Sequence, residues 1–326
     1  MLLPAFDAEQ TLGSALRSVR RQTWTDFECV IVDDGSRDAT AKLADRVAAA
    51  DPRFRVIRRA HEGLVAALNA GLAACRGGIV ARMDADDLMV RTRLARQVEA
   101  LARNGELAAV GAHATLVPRA SLKDGAKEYE AWIASIDSPA RVREELFVEC
   151  PIVHPTLCIR AETIRELGWR DRAVPEDYDL VLRLAESGRA IGVVPERLLL
   201  WRQGETRLQR TSPAYSHEAF ARLKAEFLAR GFLRDTPAYH LLGYGNSGKL
   251  LRAALSREGR VPAAIVDVHR AGTVIDGVPV VGIDALGSLP KRPLLVSVAG
   301  VEGRTGVRRE LAARGLVELR DFVCAA

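Results

Sequence analysis

Between Met1 and Asp84, short unbroken apolar runs alternate with stretches whose apolar residues recur every three or four positions. "FECVIVDD" reads as a buried parallel strand, because an apolar run without polar alternation suits a strand covered on both faces, and "MLLP", "FRVIRR" and "GIVARMD" read as the other strands. Between them, Leu12, Ala15, Leu16 and Val19, then Leu43, Ala44 and Val47, then Val65, Leu68 and Leu72 each mark one face of a helix. Asp7 with Gln10 three residues on reads as a capping box for the first helix. Gly77 and Gly78 read as the stop of the third. A βαβαβαβ order admits few folds: a parallel sheet with helices on both faces. Only three residues precede Pro4, so the first strand is short for a core position, and is expected at a trimmed edge or with its start upstream.

Two acidic clusters close these strands. Asp33 and Asp34 end one, and Asp84, Asp86 and Asp87 follow another in "ARMDADDL". In open parallel sheets, ligands bind beyond the carboxyl ends of the strands. Burying unpaired carboxylates there is costly. A divalent cation removes the conflict, since oxygen ligands suit Mg²⁺ or Mn²⁺, which share their shell with substrate phosphates. D-x-D spacing lets alternate side chains of an extended segment point the same way. The plain alternative is a solvated acidic turn. Further on, "PEDYDL" sets Glu176 and Asp177 at a helix start. Acids there often serve only as dipole partners, while a carboxylate in a partly closed site can act as a general base toward a hydroxyl.

The middle of the chain, 111–204, is less regular. It holds a loop around Ser121 to Lys127, a helix near Arg141 to Phe147, the turn-rich "ECPIVHPTLCI", a helix in "AETIRELG", and another in "VPEDYDLVLRLAESG" that stops at Gly188. Residues 205–237 read as a helical linker. From Ala238 the alternation restarts, so 1–204, 205–237 and 238–326 are the expected domains. In the last, "GYGNSG" places Gly243, Gly245 and Gly248 in a G-x-G-x-x-G turn after a strand and before a helix, a context that cradles phosphate. Asp267 closes the next strand and could reach a ribose. The strand "VIDGVPVVG" interrupts a plain dinucleotide fold, and the module could equally serve packing or homodimer contacts.

A chain of 326 residues has room for two cores. Mean hydropathy is near zero, and no apolar run approaches the roughly 18 to 20 residues of a membrane span. Asp7 and Glu9 argue against a signal peptide. The five dispersed cysteines suggest reduced thiols and a cytoplasmic setting, with no zinc or redox site at Cys150 and Cys158. The net charge is +5, with six Lys among 47 basic residues. No basic run is interleaved with aromatics, which excludes nucleic acid as a favoured partner. Peripheral attraction to an anionic membrane face fits the charge. His154, Trp132 and Trp169 read as structural.

In order, "LLPAFDAEQTLGSALRSVRRQTWTDFECVIVDDGSRDAT", "HEGLVAALNAGLAACRGGIVARMDADD", "HPTLCIRAETIRELGWR", "PEDYDLVLRLAESG" and "LLLWRQGETRLQRT" resemble family-2 glycosyltransferases of the GT-A fold over residues 1 to 210. The resemblance implies an α/β GT-A nucleotide-diphospho-sugar transferase domain ahead of a small C-terminal Rossmann-like domain. It implies inverting transfer from a nucleotide-diphosphate sugar, in particular a UDP-sugar, to a glycan, lipid-linked or other hydroxyl acceptor in surface-polysaccharide assembly. Pro4, Ala5, Glu9, Asp33 and Asp34 would hold the nucleotide. Asp84 and Asp86 would form the D-x-D pair on Mn²⁺ or Mg²⁺, with Asp86 the direct ligand and Asp87 in support. Asp177 would be the base and Glu176 its neighbour. Arg82, Trp201 and Arg202 would face the donor. Asp7 and Phe6 stand where the family commonly has Asn and Tyr. "TRLQRT" departs from the QxxRW of processive synthases, which implies single-sugar transfer. The C-terminal part resembles the nucleotide-sugar-binding domain ahead of some sugar O-acyltransferases, which implies a second nucleotide or nucleotide sugar there.

Three other functions stay open. A nucleotidyltransferase would need a glycine-rich, Lys- or Arg-bearing loop after the first strand, which "PAFDAEQ" lacks. An NAD-dependent oxidoreductase would need a hydride-transfer site beside 243–248. A non-catalytic nucleotide-sugar sensor would be expected to lack Asp84, Asp86 and Asp177.

Overall fold

A computed structural model describes residues 1–204 and 212–326. The segment "TRLQRT" and the start of the expected linker lie outside the described residues. The chain forms two compact units. The first comprises Met1–Val142, Ile152–Arg172 and the described residues from Glu176 to 204; the second comprises Arg143–Pro151, Ala173–Pro175 and 212–326.

In the first unit, β1 (Leu2–Ala5), β2 (Cys29–Asp33) and β3 (Phe54–Arg58) form a parallel sheet in the order β1-β2-β3, linked by α1 (Leu12–Arg20) and α2 (Thr40–Ala50). The apolar face read for α1, Leu12, Ala15, Leu16 and Val19, is buried throughout. Each such side chain contributes about 1.5–3 kcal/mol. Helix α3 (Leu64–Ala74) ends at Cys75, before the two glycines, and leads to β4 (Ile79–Ala81). Short as it is, β1 is no edge strand: β2 pairs with it on one side, and on the other Leu2 bridges Arg82 in parallel while its carbonyl accepts the Met83 N–H at 3.0 Å. Pro4, two residues on, faces the same side as Leu2. Its missing N–H therefore falls where β1 and the chain after β4 part.

The rest of the unit departs from an all-parallel sheet. β4, β7 (Cys158–Arg160), β6 (Leu107–Val117), β8 (Ala190–Arg202) and β5 (Leu88–Met89) lie in that order, with β7 antiparallel to β4 and β6, and β5 antiparallel to β8. The long β6–β8 pair was not legible in the sequence, because Ala, Gly and His in β6 and Pro, Glu and Arg in β8 break the apolar run. The loop expected around Ser121 to Lys127 contains the start of a helix, α5 (Asp124–Ala134), after α4 (Arg93–Arg103). Then follow α6 (Pro139–Glu145), α7 (Ala161–Leu167) and α8 (Glu176–Glu186). Buried Arg183 fastens α8 to α7: it pairs with Asp179 at 2.7 Å and donates to the carbonyls of Leu167 and Gly168, each at 2.8 Å.

The second unit contains α9 (His217–Arg230), β9 (Ala238–Leu242), α10 (Asn246–Arg257), β10 (Val261–Val266), β11 (Val274–Ile275), β12 (Val278–Val281), β13 (Leu294–Val296), α11 (Val301–Ala313) and β14 (Phe322–Cys324). Its sheet order is β11-β12-β10-β9-β13-β14, parallel except for β11. "VIDGVPVVG" is a hairpin, not one strand. Asp276 and Gly277 turn it with φ of +46° and +77°, the positive pair a tight two-residue turn requires. Leu228, Tyr239, Leu241, Leu255, Ile265 and Leu295 are fully buried in the core around this sheet.

Candidate active site

Because β1, β2 and the chain leaving β4 run parallel, Ala5, Asp33 and Asp84 reach the same edge of the sheet. The loops at that edge are stitched together. Asp7 caps no helix; it adopts φ +44°, and its carboxylate accepts the Arg37 N–H at 2.8 Å. Helix α1 starts later, at Leu12, whose N–H donates to the Ala8 carbonyl. The Glu9 carboxylate accepts the Ala39 N–H at 2.9 Å and holds the start of α2, while Ala8 N–H donates to Thr40 Oγ1 at 2.7 Å.

Asp33 and Asp34 have different surroundings. Asp33, at the end of β2, accepts the Ser36 N–H at 3.2 Å. The carboxylate of Asp34 turns inward: it accepts the Gly63 N–H at 2.8 Å and faces Arg59 Nε at 3.0 Å and His61 Nδ1 at 2.9 Å. It ties the end of β2 to the loop before α3. That tie carries His61 onto exposed Phe6, with ring centroids 3.9 Å apart and planes 20° apart. The stacked pair is a flat surface beside Ala5.

The D-x-D segment holds the densest charge. Oxygens of Asp84, Asp86 and Asp87 lie within 4.8 Å of one another. Two oxygens on opposite sides of a Mg²⁺ would be about 4 Å apart, so the three carboxylates would surround one cation after a small inward adjustment. Asp87 is fully buried and accepts the Arg202 N–H at 2.8 Å, and Arg202 Nε donates to the Asp86 carbonyl at 2.7 Å. Antiparallel pairing of β5 with β8 is what returns Arg202 to these acids, 115 residues away in sequence. Trp201, its neighbour, is buried with its ring 6.1 Å from that of Tyr129.

Arg82 links the acids to α8. It is buried, its Nη2 pairs with Asp84 at 2.5 Å, and its Nε and Nη1 have no partner among the described residues. Burial works against its charge, but Asp84 first, then Glu176 and Asp87, hold its pKa above the usual value. Asp177, buried in the first turn of α8, is pushed up to about 7 by burial and by the Glu176 charge, against the opposing Tyr178 N–H, at 2.7 Å, and Arg82. Beside them, burial and then Arg82 hold His154 well below its usual pKa, so its imidazole is neutral. The Trp169 indole N–H donates to His154 Nε2 at 3.1 Å. Indole nitrogen only donates, so the imidazole proton sits on Nδ1, 3.7 Å from a Glu176 oxygen.

A buried peg positions this cluster. Arg93 donates to the Arg82 carbonyl at 2.7 Å and to Gln97 Oε1 at 2.9 Å, and Gln97 Nε2 donates to the Thr156 carbonyl at 2.7 Å. The D-x-D strand end and the His154–Thr156 turn are thereby fixed to one helix. Sequence reasoning passed over Arg93, Gln97 and His61 and treated His154 and Trp169 as structural. An Arg and a Gln on an amphipathic helix look solvated, and "HP" was the only local signal for His154. Gly243, Gly245 and Gly248 lie in the second unit.

The model of the family "Glycosyl transferase family 2" matches residues 1–160. The amylovoran biosynthesis glycosyltransferase AmsE of Erwinia amylovora is 28% identical over 70% of this chain and 85% of its own length. Among solved structures, Staphylococcus aureus TarS 1–349 in complex with UDP-GlcNAc superposes with a TM-score of 0.57 at 16% identity, covering 78% of this chain and 71% of that one. Mannosyltransferase PcManGT of Pyrobaculum calidifontis, in complex with GDP-Man and Mn²⁺, gives 0.52 at 19% identity over 79% and 68%. At such identities the superpositions establish the fold. With the family match over residues 1–160, which hold the acid-bearing strands, the first half of the chain is similar to family-2 glycosyltransferases and the fold is that of the GT-A enzymes.

Proposed function

We propose that the chain transfers one sugar from a nucleotide-diphosphate donor to an acceptor hydroxyl, with inversion at the anomeric carbon, in polysaccharide assembly. The observation that carries this is the placement of Asp177: a buried carboxyl with its pKa near 7, joined through Arg82 to three acids suited to a divalent cation. AmsE supports the polysaccharide setting, and the UDP-GlcNAc and GDP-Man complexes of TarS and PcManGT support the donor class. A UDP-sugar is the donor we favour.

Asp86 and Asp84 would hold Mn²⁺ or Mg²⁺, with Asp87 orienting the strand behind them; the ion's contribution is to stabilise charge on the departing diphosphate. The unpartnered nitrogens of Arg82, and Arg202 beside Asp86, would bind the diphosphate oxygens. Ala5, Asp33 and the Phe6–His61 stack would border the nucleoside. Asp177 takes the acceptor's proton, the acceptor oxygen bonds to the anomeric carbon, and the carbon–oxygen bond to the diphosphate breaks with its electron pair leaving on the nucleotide. The Glu176 charge, beside it in the first turn of α8, keeps Asp177 basic near neutrality. No described helix is long and apolar enough to cross a membrane, so contact with a lipid-linked acceptor would be peripheral.

The test is nucleotide release by the full chain from UDP- and GDP-sugars, with Mn²⁺, Mg²⁺ or EDTA, and NMR of the product linkage. Metal-dependent release and an inverted anomer are expected. Full activity in EDTA would remove the metal role, and a retained anomer would remove Asp177 as sole base.

A further inference from the structure

The first unit carries a surface that sugar transfer does not use, at the edge where the strands of its parallel sheet begin. Because α1 links the parallel pair β1 and β2, it runs back from the acid-bearing edge, and the chain then turns through Gln22 to Asp26 on its way to β2. A second loop, at Val90 and Arg91, lies beside that turn. The Thr23 N–H donates to the Arg91 carbonyl at 2.9 Å, and Gln22 Nε2 donates to the Val90 carbonyl at 2.8 Å. Gln22 is itself buried, and its Oε1 accepts the Leu94 N–H at 3.0 Å, so both loops are fixed to the first turn of α4.

Two apolar side chains stand out from these loops: Trp24 is 39% exposed and Val90 37%. The Trp24 indole N–H donates to the Asp26 carbonyl at 2.8 Å, so the ring needs no water for its only donor. Arg17, Arg20, Arg21 and Arg91 are exposed on the same helix end and loops, and Arg91 Nε donates to the Arg21 carbonyl at 3.5 Å. Of the acids nearby, Asp51 is already held by Arg53 at 2.7 Å and faces Arg20 at 3.5 Å, which leaves Asp26 against the remaining arginines. Positive charge is therefore in excess around an exposed indole. That combination suits the level of lipid head groups, where the ring meets acyl chains and guanidinium groups meet phosphates.

A cavity beside Trp24 separates a lipid from other polyanions. It has a volume of about 620 Å³ and is walled by Phe27, Pro52, Ile79, Leu94 and Val98. Two of its charged residues, Arg76 and Glu28, pair with each other at 3.0 Å. An anionic glycan would stack on the indole and pair with the arginines, but it has no apolar group for these walls or for Val90. A lipid acyl chain has.

We propose that this edge of the first unit docks on an anionic lipid surface, with Trp24 and Val90 entering the head-group layer and Arg17, Arg20, Arg21 and Arg91 meeting lipid phosphates. The docked face is not the transfer site, because Asp84, Asp86 and Asp87 lie at the opposite edge of the sheet. The proposal extends the peripheral contact named above and needs neither donor, metal nor acceptor.

The test mixes the full chain with vesicles of phosphatidylcholine, alone or with phosphatidylglycerol, and reads sedimentation and tryptophan emission at low and high salt. Trp132, Trp169 and Trp201 are buried, so Trp24 reports the surface. Sedimentation with the anionic vesicles only, released by salt, is expected, with blue-shifted emission that brominated lipids quench. Arg17→Gln combined with Arg21→Gln should weaken binding about 25-fold, since each arginine near an anionic surface is worth about fivefold. Trp24→Ala should weaken it roughly tenfold. Melting temperatures of both variants should match the parent, because the altered side chains are exposed. No sedimentation with anionic vesicles at low salt, binding with unchanged emission, or equal binding by the double-arginine variant overturns the proposal. So does an emission shift with dextran sulfate and none with vesicles, which marks a glycan surface instead. None of these outcomes bears on sugar transfer, which the nucleotide-release assay tests separately.

Discussion

Replacing Asp177 by Asn should stabilise the protein and disable it together. The buried carboxyl has its pKa raised from 3.8 to about 7 by burial and then by Glu176. The folded state thus holds a proton that the unfolded state releases between about pH 4 and 7, so stability falls as pH rises through that window and levels off above it. About three pKa steps at 1.36 kcal/mol each set a ceiling of about 4 kcal/mol on the cost of the ionised group at pH 8. Relaxation of the site around the ionised group brings the gain from Asp177→Asn to on the order of 2 kcal/mol. That corresponds to about 4–8 °C in melting temperature at pH 8 and almost none at pH 4. An amide cannot take the acceptor's proton, so transfer should fall by about 10²–10⁴ while donor affinity stays. Thermal melts from pH 4 to 8 and stopped-time transfer assays read both effects. A pH-independent change in melting temperature, or transfer within threefold of the parent, would refute the reasoning.

Two further outcomes follow from the supports of this site. Arg93→Met removes the peg between the D-x-D strand end and the His154–Thr156 turn, orphaning the Arg82 carbonyl and Gln97 Oε1; urea titration should show a loss of about 3 kcal/mol, and KM for donor should rise. Trp169→Phe deletes the N–H that holds the His154 tautomer; stability should fall by about 1 kcal/mol, and the midpoint of the pH–rate profile should shift while donor Kd does not.

The positions of the acids were legible because they sit at strand ends, where a residue's neighbours in sequence are also its neighbours in space. "CVIVDD", "ARMDADD" and "PEDYDL" each place acids one step past an apolar run or at a helix start, and Asp33, Asp84 and Asp177 stand at those positions in the fold. The α1 face was readable because one period of 3.6 decides it. The short β1 misled for the same local reason: its length suggested an edge, whereas pairing with β2 and with the chain after β4 places it inside the sheet.

The sequence alone determined the alternation of strand and helix and the acids at their ends. Those are properties of segments a few residues long, set by burial, period and contact with near neighbours. Tertiary structure alone decided which of those acids share a charge cluster. Arg202 reaches Asp86 and Asp87 because β5 runs antiparallel to β8. Asp34, adjacent to Asp33 in sequence, is turned inward by Arg59, His61 and Gly63. The raised pKa of Asp177 arises from desolvation and a neighbouring charge, which exist only once α8 is buried. A carboxylate's identity is written in the chain, but its dielectric surroundings are assembled by folding.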